Sequence, residues 1–144
     1  MLRLRHTGIY VHNLERMKSF YCETFGMQVA VHTVEKGEYI DTVLGLRNIE
    51  LELYKLQFHD GSMIELIHHK GDVSSRSQGH VYDAGCCHIA ITVDAIETLA
   101  DQLLQAGIVL ISRPALSADG SAKVCFCQDP EGNFLELVEE QSVS

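Results

Sequence analysis

Two histidines and two glutamates carry the chemistry that this sequence offers. His6 opens the stretch His6-Thr7-Gly8-Ile9-Tyr10-Val11, and His88 opens His88-Ile89-Ala90-Ile91-Thr92-Val93. Glu65 sits in Gly61-Ser62-Met63-Ile64-Glu65-Leu66, and Glu136 in Gly132-Asn133-Phe134-Leu135-Glu136-Leu137. The chain therefore repeats one plan: a histidine at a strand start and a carboxylate within a later apolar strand. An unpaired charge is costly to bury, so each carboxylate needs a partner. Two neutral imidazoles and two carboxylates suit one borderline divalent ion, Ni, Co, Zn, Mn or Fe. In an octahedral sphere that set leaves two positions for water or for two substrate oxygens. Such an ion polarises a carbonyl and stabilises enediolate-like charge. A carboxylate that loosens can then take the proton from the adjacent carbon.

The plainer alternative has each histidine at a strand end and each glutamate facing solvent from a one-sided antiparallel sheet. Matching parity in two repeats favours the metal set instead. His12, His32, His59, His68 and His80 have no partner in register and are expected at the surface. His69, four residues past Glu65, falls on the same strand face and is a candidate substrate contact.

The elements that must position these residues follow from periodicity. Residues 3–12 alternate as a strand, with Thr7, Ile9 and Val11 on one face and His6, Gly8 and Tyr10 on the other. Asn13 is an N-cap, and Leu14, Met17, Phe20, Tyr21 and Phe25 keep helical spacing as far as Gly26. Strands are expected over 27–35, 48–58 and 62–69, with an irregular piece or short helix over 37–46. His59-Asp60-Gly61 makes the hairpin turn. The plan restarts with a strand over 86–93 and a capping box, Asp94-Ala95-Ile96-Glu97. The helix that follows buries Ile96, Leu99, Leu103 and Leu104 and stops at Gly107. Strands over 108–112, 122–128 and 133–140 complete it, with a polar loop over 113–121 and a turn at Asp129-Pro130-Glu131-Gly132.

Side-chain parity then sorts the faces. Cys87, Ile89, Ile91, Val93, Leu135 and Leu137 face a helix, whereas His88, Ala90, Thr92, Phe134, Glu136 and Val138 face away. Met63, Glu65, Ile67 and His69 do the same in the first half. If the sheet curls, all four candidate ligands line a concave interior walled by Tyr10, Met63, Ile67, Thr92 and Phe134. The fold class is α+β: two βαβββ modules, 1–70 and 86–144, joined by a polar linker over 71–85. The histidines are 82 positions apart and the glutamates 71, and the difference fits an extra segment between about Gly37 and Asn48.

Composition bounds the partners. At 144 residues and 46% hydrophobic, the chain is one compact domain or two small halves sharing a core. A net charge of −9 disfavours nucleic acid and anionic membranes. The longest apolar run is too short for a membrane span. Arg3 and Arg5 interrupt the only apolar start, so a secretory signal is not expected and a cytoplasmic location is. Five cysteines (Cys22, Cys86, Cys87, Cys125 and Cys127) make an odd count. That suits reduced, packed thiols better than a disulfide framework or a thiolate metal site.

Over residues 3–140 the chain resembles the vicinal oxygen chelate superfamily. The resemblance rests on His6-Thr7-Gly8-Ile9, Asn13-Leu14-Glu15-Arg16, Ser19-Phe20-Tyr21, Phe25-Gly26-Met27 and Met63-Ile64-Glu65-Leu66. It continues through His88-Ile89-Ala90-Ile91-Thr92-Val93-Asp94, Ala106-Gly107-Ile108 and Asp129-Pro130-Glu131-Gly132-Asn133-Phe134-Leu135-Glu136-Leu137. It implies paired βαβββ modules forming a curled mixed sheet around one metal ion. His-Glu-His-Glu in chain order is the glyoxalase I pattern, which falls on His6, Glu65, His88 and Glu136. The resemblance implies a metal-dependent lyase or isomerase acting on the hemithioacetal of methylglyoxal and glutathione. Glu136 is then the proton-transfer base and Glu65 its counterpart. It also implies a homodimer, with the modules pairing within one chain or swapping between two. Two positions depart from glyoxalase I: Tyr10 stands where the family has an arginine, and His69 where it has an asparagine. An epimerase of the methylmalonyl-CoA type and a non-catalytic small-ligand-binding member are the alternatives.

Overall fold

In the computed structural model residues 2–71 and 79–142 are described. The chain divides into two compact units, Met1–Arg76 and Ser77–Ser144. Of the linker expected over 71–85, residues 72–78 lie outside the described residues.

The first unit runs β1 (Thr7–Tyr10), α1 (Leu14–Phe25), β2 (Gln28–Lys36), α2 (Glu38–Leu44), β3 (Glu50–Gln57) and β4 (Met63–His69). Its sheet has the order β1-β4-β3-β2, with β1 parallel to β4 and the other pairs antiparallel. Helix α1 starts where the sequence places it, because the Asn13 side chain accepts the Arg16 amide at 3.0 Å. It ends at Gly26, whose left-handed φ of 68° suits glycine and brings its amide onto the Cys22 carbonyl. Leu14, Met17 and Tyr21 form its buried stripe. α1 lies against β3 and β4, which bury Leu56, Ile64 and Leu66. Each such side chain contributes about 1.5–3 kcal/mol relative to exposure.

The segment that breaks the duplication is helix α2. Ile40 packs with Leu51, Leu53 and Ile67, and Ile49 lies against them. Leu53 and Ile67 are cross-strand partners with the parity of Glu65, so α2 covers part of the sheet face that carries that carboxylate. Asp41 fixes the return to β3 by accepting the Asn48 and Ile49 amides, each at 2.9 Å.

The second unit runs β5 (His88–Thr92), α3 (Ile96–Gln105), β6 (Ala115–Leu116), β7 (Ala122–Gln128) and β8 (Phe134–Glu140). Its order, β5-β8-β7-β6, repeats that of the first, again with one parallel pair, β5 and β8. The α+β reading with two βαβββ modules therefore stands.

Three local expectations need correction. The strand expected over 108–112 is reduced to a bridge between Leu110 and Cys127, and β6 forms instead inside the expected loop. Pro114 lies between them and has no amide to give to a ladder. The expected capping box is absent, since Ala95 occupies the N-cap and offers no side chain. Glu139 of β8 supplies the cap, accepting the Ile96 amide at 2.7 Å. In α3 the buried positions are Ile96, Ala100 and Leu103, while Leu104 is exposed. Among the described residues no helix is long and apolar enough to cross a membrane.

Candidate metal centre

The two glutamates occupy equivalent lattice points. Gly8 of β1 pairs with Glu65 of β4, and Ala90 of β5 pairs with Glu136 of β8. Each histidine stands two residues before that partner, on the same face, one strand away from its glutamate. In the first unit His6 Nε2 lies 3.8 Å from Glu65 Oε2. In the second, His88 Nε2 lies 3.1 Å from Glu136 Oε2.

The same turn precedes both glutamate strands. Phe58 donates its amide to the Ser62 carbonyl, and Gly61 donates to Phe58. Asp129 donates to Asn133 in the same way, and Gly132 donates to Asp129. Gln57 and Gln128 each reach the carbonyl of the turn glycine, Gly61 and Gly132. Both glycines hold a left-handed φ, 87° and 85°, which a side chain would strain. The turns fix the register of the hairpins, and the register fixes what stands opposite each glutamate.

There the copies differ. Lys55 of β3 pairs with Glu65, and its ammonium lies 3.5 Å from Glu65 Oε2. Phe126 of β7 pairs with Glu136 and meets the His88 ring edge-on, with centroids 5.1 Å apart. Neither Lys55 nor Phe126 was singled out from the sequence. Counting back across the turn from each glutamate identifies both, because the turn sets which residues face each other.

The donor types, one imidazole and one carboxylate in each unit, suit a divalent ion. Two ligands at about 2.1 Å from one ion stand about 3.0 Å apart at a right angle and about 3.4 Å apart at the tetrahedral angle. The imidazole–carboxylate separations of 3.1 and 3.8 Å fall at and just beyond that range. His6 Nδ1 is buried without a hydrogen-bond partner among the described residues, and Nε2 of the same ring faces the carboxylate. The pairs lie in different units. Among the described residues no group of three or more His, Cys, Asp or Glu side chains comes together as a metal cage.

The remaining wall residues are placed as follows. Tyr10, 57% exposed, pairs with Ile67 on the glutamate face. Met63 is half-buried at the start of β4, whereas Ile67 is buried in the cluster under α2. His69 pairs with Leu51 and lies against Gly71, where an added Cβ would come within 2.6 Å of its ring. Phe134 is buried opposite His88, and Thr92 is exposed opposite Val138. Cys125 and Cys127 are buried on the other face of β7. Burial raises both thiols, Cys127 to about 12. His32 and His68 have partners rather than bare surface positions. His32 lies 2.9 Å from Glu52 and stacks on Tyr54, and His68 Nδ1 lies 3.0 Å from the Val11 carbonyl.

Comparison with known proteins bears on the fold and the family. The chain is 29% identical to a probable lactoylglutathione lyase of Vibrio cholerae over 139 residues, covering 96% of this chain and 91% of the relative. It is 30% identical to a probable lactoylglutathione lyase of Vibrio parahaemolyticus over 147 residues, covering 99% and 94%. A glyoxalase family protein of Bacillus cereus superposes with a TM-score of 0.89 at 25% identity, covering 99% of this chain and 96% of that one. The glyoxalase I of Leishmania major, described as trypanothione-dependent, superposes with a TM-score of 0.70 at 25% identity, covering 97% and 88%. The model of the Glyoxalase/Bleomycin resistance protein/Dioxygenase superfamily matches residues 3–137, and the chain belongs to that family.

Proposed function

We propose that the chain is a metal-dependent lyase or isomerase of glyoxalase I type, acting on a small substrate that chelates one divalent ion through two oxygens. His6, Glu65, His88 and Glu136 are the ligands. The observation that carries this reading is the repeated register: each unit sets an imidazole beside a carboxylate at the same point of the same sheet. The bound ion would polarise the substrate carbonyl and hold the charge that develops on its oxygens.

The chain's own groups do the rest. Glu136 takes the proton from the carbon beside the chelated carbonyl and returns it to the neighbouring carbon, so no co-reactant is needed. The resemblance to glyoxalase I favours Glu136 for this role, with Glu65 its counterpart. His88 packs near-perpendicular to the Phe126 ring, and Phe134 beside it keeps that end of the face apolar. The buried cluster under α2 does the same for the Glu65 face.

The test is turnover of the methylglyoxal–glutathione hemithioacetal by protein loaded in turn with Ni²⁺, Co²⁺, Zn²⁺ and Mn²⁺. Product formation that depends on the ion supports the reading, and Glu136→Gln retaining full activity overturns the base assignment. A thioester epimerase is the second reading, favoured by Tyr10 and His69 at two positions where glyoxalase I carries other residues. It predicts solvent deuterium entering an acyl-CoA and no turnover of the hemithioacetal.

A further inference from the structure

The two half-sites match in register, in turn geometry and in the histidine–glutamate pairing, and they differ at the residue facing the glutamate. Phe126 shows that this lattice point takes an apolar residue without disturbing the hairpin. A lysine in its place in the first unit is therefore not demanded by the sheet. Lys55, directly opposite Glu65, sets its ammonium 3.5 Å from Glu65 Oε2, and the same oxygen faces His6 Nε2 at 3.8 Å. The Glu65 side chain is only 12% exposed and that of Lys55 27%, so solvent screens their attraction weakly. Lys55 thus stands where positive charge is wanted, on the carboxylate that is the proposed metal ligand.

We propose that Lys55 is a resident counter-cation of Glu65, and that a divalent ion joining His6 and Glu65 must displace it. The proposal rests on the metal-site reading. An ion at Glu65 would lie within a few ångströms of the ammonium, and like charges at that distance in a half-buried site repel. The lysine stem has four rotatable carbons, so the head can swing off the carboxylate as the ion arrives. Metal uptake is then an exchange of cations at Glu65. The second half-site, with Phe126, carries no such competitor at that lattice point. The ion accordingly meets less resistance at His88 and Glu136 than at His6 and Glu65.

The experiment is calorimetric titration of metal-free protein with Co²⁺ for wild type, Lys55→Met, Lys55→Gln and Lys55→Arg. Both neutral variants are expected to bind at least tenfold more tightly than wild type, and Lys55→Arg to stay near wild type. A second measurement uses the wild-type chain alone: acetylation of Lys55, followed by mass spectrometry, should run several-fold faster once Co²⁺ is present. Neutral variants that keep wild-type affinity, or a Lys55 acetylation rate that Co²⁺ leaves unchanged, overturn the role of Lys55. Wild-type protein that takes up no ion overturns the metal reading itself, which keeps the two failures distinct.

Discussion

Glu65 and Glu136 occupy the same position in two copies of one sheet, each paired across a parallel strand with the residue two beyond a histidine. One sheet plan used twice yields two imidazole–carboxylate pairs.

The two carboxylates should separate by kinetics. Glu136→Gln removes the proposed proton carrier and should lower kcat by about 10²–10⁴-fold, the usual worth of a positioned acid–base group. Glu65→Gln should act mainly on metal affinity, with kcat recovering at high metal concentration. Steady-state rates measured across a metal titration distinguish the two, and equal effects on both parameters would refute the division of roles.

The cap of α3 should make stability depend on pH. The Ile96 amide, then Gln141, hold the Glu139 carboxyl below its ordinary range. A carboxylate depressed in the folded state stabilises above its unfolded pKa, and that stabilisation is lost as pH falls through the folded value. Glu139→Gln should therefore lower Tm at pH 7, with a smaller difference near pH 3. A difference that stays constant with pH would show that the charge contributes nothing.

Asp129 should be a structural carboxylate. It is buried and accepts the Glu131 amide at 3.0 Å, the Asn133 amide at 2.9 Å and the Asn133 side chain at 2.7 Å. Asp129→Ala leaves those donors without this acceptor and should cost about 1–3 kcal/mol. Urea unfolding measures the loss directly. A full-sized loss of activity with unchanged stability would place Asp129 in the chemistry instead.

The cysteines should react in order of exposure. Cys87 is exposed, while Cys125 and Cys127 are buried and Cys127 is pushed up to about 12. The thiolate is the reacting form, so Cys127 should resist iodoacetamide at neutral pH until the chain unfolds. Peptide mass spectrometry after timed alkylation gives the order.

What was legible in the sequence is what depends on short-range pattern. Strand parity placed the glutamates with the histidines because side chains alternate with period two, and Asn13 and Gly26 marked the ends of α1 through local hydrogen bonds. What was missed depends on contacts between distant residues. Glu139 caps a helix 43 residues earlier, which no local pattern announces. Lys55 acquires its meaning only from the hairpin register that sets it against Glu65. Pro114 had a local signal in its missing amide, and reading it would have moved the strand past it, to Ala115 and Leu116.

The central claim, that four side chains hold one ion, is tested most directly by metal stoichiometry. Metal-free protein is reloaded with Co²⁺, desalted and analysed by inductively coupled plasma mass spectrometry alongside His6→Ala, Glu65→Ala, His88→Ala and Glu136→Ala. The account predicts about one ion per wild-type chain, as four ligands in one sphere require, and a substantial loss in every variant. Full retention of the ion by any one of the four variants, or none bound by wild type, would contradict it.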